Sequence, residues 1–181
     1  MHSLALDRTT ASRWVKVLGI SVFAIAMAVS ARVSVMTPLS PVPITFQVLV
    51  VLLSGFVLGA RDSFIAQILY LQAILLGAPL TATGLAGPLA FASPTAGYLL
   101  AFPVAAALAG WLSQHSTSIR PLAKALGGLC ALAVIYAVGM VWLSAFVGGL
   151  GNAFKLGVLP FIAVDVFKLV LATAVLSIHR K

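Results

Sequence analysis

Charge is scarce in this sequence. Of its 181 residues, 8% are Asp, Glu, Lys or Arg, where a soluble domain carries about 25%. Only three are acids, against eleven lysines and arginines. No polar segment is long enough to form a soluble domain. With a mean hydropathy of +1.16, the chain reads as a single integral membrane domain. One cysteine, Cys130, excludes an internal disulfide and a Cys-built metal site; it is expected to pack between helices as a small residue. The three histidines, His2, His115 and His179, lie on scattered polar segments and cannot gather on a metal.

Catalytic and nucleotide chemistry is missing too. Gly148-Gly149-Leu150-Gly151-Asn152 is rich in glycine, but no strand precedes it and no Gly-Lys-Ser/Thr follows, so it reads as a turn and not a phosphate loop. An intramembrane hydrolase needs a nucleophile with a base, or paired acids. A single acid within an apolar run does not supply either. No enzyme activity, cofactor or metal is expected. One Asp beside one Lys is also a poor ion-permeation path. The net charge of +8 does not point to nucleic acid. The basic residues sit singly at the ends of apolar runs, with no interleaved aromatics, and read as topology signals.

Apolar runs are what the chain has. Hydrophobic residues make up 62% of it. Six runs read as spans, at about 14–36, 43–59, 63–80, 93–113, 122–147 and 159–178. Residues 1–13 form a polar head and residues 179–181 a tail. The expected fold is an all-α membrane bundle of six transmembrane helices. The second run is barely long enough for a bilayer. Val29-Ser30-Ala31 before Arg32 resembles a signal-peptide cleavage site, but the apolar stretch is longer than such a segment needs. Ala24 and Ala28, continued by Ala31, form a small-residue stripe. Such stripes let membrane helices approach closely, either within the bundle or against another protein.

Two linkers are unusual. Pro38, Pro41 and Pro43 hold the segment after the first run extended or turned, and Pro43 suits the first position of the second helix. Residues 77–94 are rich in Gly, Ala and Pro and carry no charge. An uncharged loop of that length reads as a lid folded over or into the membrane. Ser93 then suits a cap for the fourth helix, with Pro94 in its first turn.

The last run holds Asp165 and Lys168. An acid or a base in mid-membrane costs about 2.5–3.5 kcal/mol on insertion scales, so both should face the protein interior or a wet cavity. Three residues apart, they share a helix face, with Phe161 one turn earlier. Charge bias sets the orientation. Arg8, Arg13, Lys16, Arg61, Arg120, Lys124, Arg180 and Lys181 fall on one side, Arg32 and Lys155 on the other. Both termini are therefore expected in the cytoplasm. Thr45 and Gln47, Thr95 and Tyr98, and Asp165 and Lys168 then all lie in the outer halves of the even-numbered spans. They imply a polar pocket opening outward. Gln67 and Tyr70 share a face of the third run. Interhelical hydrogen bonding is the plain account of both, and Tyr70 is also a candidate pocket residue. With no internal repeat evident, an inverted-repeat transporter is not supported.

Four blocks resemble a known family. They are Pro41-Val42-Pro43-Ile44-Thr45-Phe46-Gln47, Leu69-Tyr70, Ser93-Pro94-Thr95-Ala96-Gly97-Tyr98, and the stretch from Pro160 to Lys168. In order and spacing they resemble BioY, the biotin-specific substrate-binding (S) component of energy-coupling factor (ECF) transporters. The resemblance implies high-affinity capture of biotin at the bacterial cytoplasmic membrane. It implies as partners a transmembrane coupling (T) subunit and two cytoplasmic ABC ATPases, which would hold the only ATP sites; self-association is left open. It assigns substrate contact to Asp165, Lys168, Gln47 and Tyr98, with Thr45 beside them, and makes Ala24 and Ala28 the contact with the coupling subunit. One departure stands out: many relatives carry an aromatic after Gly-x-Pro-x, where this chain reads Gly77-Ala78-Pro79-Leu80-Thr81. Competing readings are an S component for another vitamin, and a structural membrane protein without a ligand.

Overall fold

The structure is a computed structural model. It describes the backbone of residues 2–38, 40–115 and 120–178, and the side chains of residues 12–38, 40–114 and 122–176. The expectations placed on His2, Arg8, His115, Arg120 and the tail from 179 to 181 lie outside the described side chains.

The chain folds as α1 (His2–Arg32), β1 (Ser34–Thr37), β2 (Ser40–Thr45), α2 (Gln47–Leu58), α3 (Ala60–Leu75), α4 (Gly87–Phe91), α5 (Ala96–His115), α6 (Arg120–Val147), α7 (Leu150–Gly157) and α8 (Leu159–Ile178). Among the described residues, four stretches are long and apolar enough to cross a membrane: Ser12–Arg32, Ala96–Gln114, Leu122–Val147 and Leu159–Leu176. Gln47–Leu58 is apolar but shorter. Of the other three helices, α3 (16 residues) was expected as a span, whereas the short helices α4 and α7 were not foreseen as helices: residues 77–94 read as loop and Gly148–Asn152 as a plain turn.

The proline segment departs most from its expectation. Ser34 pairs with Thr45, Val35 with Ile44, and Thr37 with Ser40, in an antiparallel hairpin with an irregularity between Val35 and Thr37. Proline fixes an extended φ and removes a donor, which a two-stranded ribbon tolerates because every strand is an edge. The first helix therefore stops at Arg32 and not near Met36. The second begins at Gln47 and not at Pro43. Phe46 holds the N-cap position without a side-chain cap bond, and Thr45 Oγ1 accepts the Gln47 backbone N–H at 3.2 Å, a local turn that leads the chain into the helix. Ser93 caps nothing. Its hydroxyl donates to the Ala90 carbonyl at 2.7 Å, inside the turn that joins α4 to α5.

The fifth helix is the hub. Of its apolar window 61% is buried, against 17% for α1 and 28% for each of α6 and α8. Small residues make the close approach possible. A Cβ on Gly55 of α2 would lie 2.5 Å from the Ala106 carbonyl oxygen of α5. One on Gly139 of α6 would lie 2.3 Å from the Tyr98 ring. Backbone contact of this kind is the usual basis of helix packing in lipid, where no hydrophobic force separates helix from solvent. Cys130 is exposed on α6 rather than packed between helices. Ala24 and Ala28 are half-buried on the flank of α1, Ala28 packs against the core, and Ala31 is fully buried.

Candidate functional site

The hairpin, the loop after α3, and helices α2, α5, α6 and α8 converge on one cavity. Its non-atom space, open solvent at the mouth included, is about 580 Å³. Apolar side chains make most of the wall, among them Val42, Val48, Leu99, Phe102, Ile135 and Phe161.

Asp165 and Lys168 are at its centre. Both are buried, at 2% and 4% exposure. Lys168 Nζ donates to Asp165 Oδ1 at 2.6 Å, as the three-residue spacing on α8 predicts. It also donates to the Thr45 backbone carbonyl at 2.7 Å. Thr45 is the last residue of β2, two residues before α2 begins. Asp165 Oδ2 accepts from Tyr136 Oη, on α6, at 2.8 Å. The four groups thus tie α8 to α6 and to the hairpin.

This arrangement leaves hydrogen-bonding capacity unused. An ammonium has three N–H donors, and a carboxylate about four acceptor positions. The contacts above engage two of the donors and two of the acceptor positions. Among the described residues, one N–H and two acceptor positions are left without a partner. A site with such leftovers fits a small polar solute that offers donors and an acceptor side by side.

Gln47 lines the cavity and donates from Nε2 to Tyr70 Oη at 2.9 Å. Tyr70 in turn donates to the Leu80 carbonyl at 3.1 Å. Tyr70 itself does not line the cavity. It acts one layer back, holding Gln47 on one side and the loop after α3 on the other. That loop is also held at Pro79, whose carbonyl accepts from Arg32 at the end of α1. Beyond these two anchors Thr81 and Ala82 reach the cavity. Tyr98 presents its ring to the cavity, while its hydroxyl donates to the Gly157 carbonyl at 2.8 Å and anchors α7. Thr95 lines the cavity and shares a 3.0 Å hydrogen bond with Ser93.

The model of the BioY family matches residues 6–181. The chain belongs to the BioY family. A probable biotin transporter BioY of Pyrococcus horikoshii is 40% identical over 162 residues, covering 89% of this chain and 92% of that one. The biotin transporter BioY of Thermotoga maritima is 33% identical over 154 residues, covering 85% and 89%. Among solved structures, an S-component for biotin from an ECF-type ABC transporter superposes with a TM-score of 0.83 at 22% identity, covering 91% of this chain and 90% of that one. At that identity the likeness speaks to the fold.

In this BioY-family chain seven expected pocket residues line the one cavity: Thr45, Gln47, Thr95, Tyr98, Phe161, Asp165 and Lys168. Tyr70 stands behind it. Tyr136 and Thr81 were missed. Tyr136 sits in a long apolar run with no polar neighbour at helical spacing, so only the fold brings it to Asp165. For Thr81 a signal was present, since it stands at the position after Gly77-Ala78-Pro79-Leu80 where the departure falls, in a loop already read as a lid.

Proposed function

We propose that this chain is the substrate-binding component of an ECF-type transporter and captures biotin from outside the cell. One observation carries the reading: the spare bonding capacity of the Asp165–Lys168 pair inside a mostly apolar cavity. Biotin's ureido group offers two N–H donors and one carbonyl acceptor. Asp165 accepts from an N–H, and the remaining N–H of Lys168 donates to the carbonyl. Charge-assisted bonds of this type are about twice as strong as neutral ones. The fused rings and valerate chain pack on Phe161, Phe102, Ile135 and the ring of Tyr98. Membership of the family, and the names of the relatives, support the same ligand.

The assembly follows from the family. The fold is read as six transmembrane helices, with α2 and α3 as the short spans, and both termini in the cytoplasm by the charge bias. The chain has no ATP-binding motif, so ATP hydrolysis belongs to two partner ATPases, joined through a coupling subunit. Ala24 and Ala28, partly exposed on α1, are proposed as the contact with that subunit.

Thermal unfolding of the detergent-purified protein with a panel of vitamins tests the ligand. A ligand that binds only the folded state stabilises it by about 2.7 kcal/mol at one hundred times its Kd. Biotin alone should raise the melting temperature. A rise with another vitamin would move the assignment, and a rise with none would remove it.

A further inference from the structure

We propose that Tyr136 decides which hydrogen-bonding pattern the site accepts, by holding the Asp165 carboxylate as an acceptor toward the ligand. The inference rests on the functional reading above. Tyr136 comes from α6 and Asp165 from α8, yet the hydroxyl reaches Oδ2 at 2.8 Å. Lys168 covers Oδ1 at 2.6 Å. With a donor on each oxygen, both orientations of the carboxyl group present acceptor positions to the cavity. Tyr136 also fixes the carboxylate plane, because Oδ2 cannot swing without breaking the bond.

The consequence is selectivity. A ligand must bring an N–H to Asp165. One that brings an oxygen there sets two acceptors against each other and leaves both unpaired. A site built to pair a ligand N–H can reject the analogue lacking it far more strongly than a shape-based pocket can. Without the tyrosine hydroxyl, Oδ2 is released and the carboxyl group can turn away from a mismatched ligand. Tyr136 is therefore a positioning residue that acts on the ligand through Asp165. The plainer account makes it glue between α6 and α8, with no bearing on which ligand binds.

Tyr136→Phe separates the two accounts, because it removes the hydroxyl and keeps the ring that lines the cavity. Affinity is measured for biotin and for its two cyclic carbamate analogues, in each of which one ureido N–H is replaced by oxygen. The analogues are read by competition against labelled biotin. Binding of biotin to the wild-type protein is measured first, and its absence would defeat the functional reading itself. Given that binding, the variant should bind biotin at least about tenfold more weakly. It should bind the carbamate that lacks the donor to Asp165 as well as the wild type does, so that selectivity falls by the same tenfold. The melting temperature of the ligand-free protein should stay close to wild type. Equal losses for biotin and both carbamates would make Tyr136 a structural residue only. Unchanged biotin affinity would remove any role in binding.

Discussion

Two buried polar clusters in this bundle make a controlled comparison. The first joins Asp165, Lys168, Tyr136 and the Thr45 carbonyl, and lines the cavity. The second joins α2 to α3, where Gln67 Nε2 donates to Ser54 Oγ at 3.1 Å and Ser54 donates to the Val51 carbonyl at 2.8 Å. Both residues of the second are fully buried, and neither lines the cavity. Gln67 Oε1 has no hydrogen-bond partner among the described residues. Burial and polarity are alike in the two places. What differs is the surroundings of the unused bonding capacity: Asp165 lines the cavity, whereas Gln67 lies in packed protein. On the proposed function the first cluster meets the ligand, while the second fastens two helices.

The largest effects should come from the charged pair. Asp165→Asn or Lys168→Met alone strands a buried charge, which costs about 3–5 kcal/mol. The double variant Asp165→Asn/Lys168→Met should recover much of the stability lost in Lys168→Met, since replacing a buried pair is often near neutral. It should not recover biotin binding. A double variant that binds biotin would show the pair to be structural, like the second cluster. Thermal melts and binding on the same samples decide this.

Next in size is packing around Tyr98, whose hydroxyl ties α7 to the site. Gly139→Ala places a methyl 2.3 Å from the Tyr98 ring. Overpacking of this kind costs about 1–3 kcal/mol, and the ring should be displaced into the cavity. We expect a lower melting temperature and weaker biotin binding together. A variant with unaltered affinity would mean that the ring position is not critical to the ligand.

Smaller again is the second cluster. Single polar contacts between membrane helices average about 0.6 kcal/mol and reach about 1.7. Gln67→Met, which also removes the unpaired oxygen, should shift stability by no more than that and leave biotin affinity within twofold. A large loss of affinity would erase the distinction between the clusters. Smallest is Arg32→Ala, which removes one of the two anchors of the loop after α3 while Tyr70 keeps the other. Biotin should dissociate a few times faster with little change in melting temperature, as read from release of labelled ligand.

The sequence revealed the first cluster because two charges in an apolar run have few places to go. Spacing alone then put Asp165 and Lys168 on one face. Thr45, Gln47, Thr95 and Tyr98 followed from their shared depth in the bundle. Other features depend on contacts that no local pattern encodes. The Thr45 backbone carbonyl is brought to Lys168 by the hairpin, and the hairpin itself was hidden by prolines that usually mark loops. Tyr136 lies 29 residues from Asp165, in a run that reads only as an apolar span. Tyr70 shows its role only once its hydroxyl is seen to lie between Gln47 and the Leu80 carbonyl. Cys130 was misplaced for a related reason: in a membrane helix a small apolar residue fits the lipid face as well as the interior.

Equilibrium binding of radiolabelled biotin to the purified wild-type protein, beside Asp165→Asn, tests the central claim most directly. Losing one partner of a buried, hydrogen-bonded charge pair commonly costs 2–5 kcal/mol of binding. Tight, saturable binding by the wild type, weakened about a hundredfold or more in a variant that still purifies as a folded membrane protein, is the predicted result. Equal affinity in the two proteins, or no binding by a folded wild type, would contradict it.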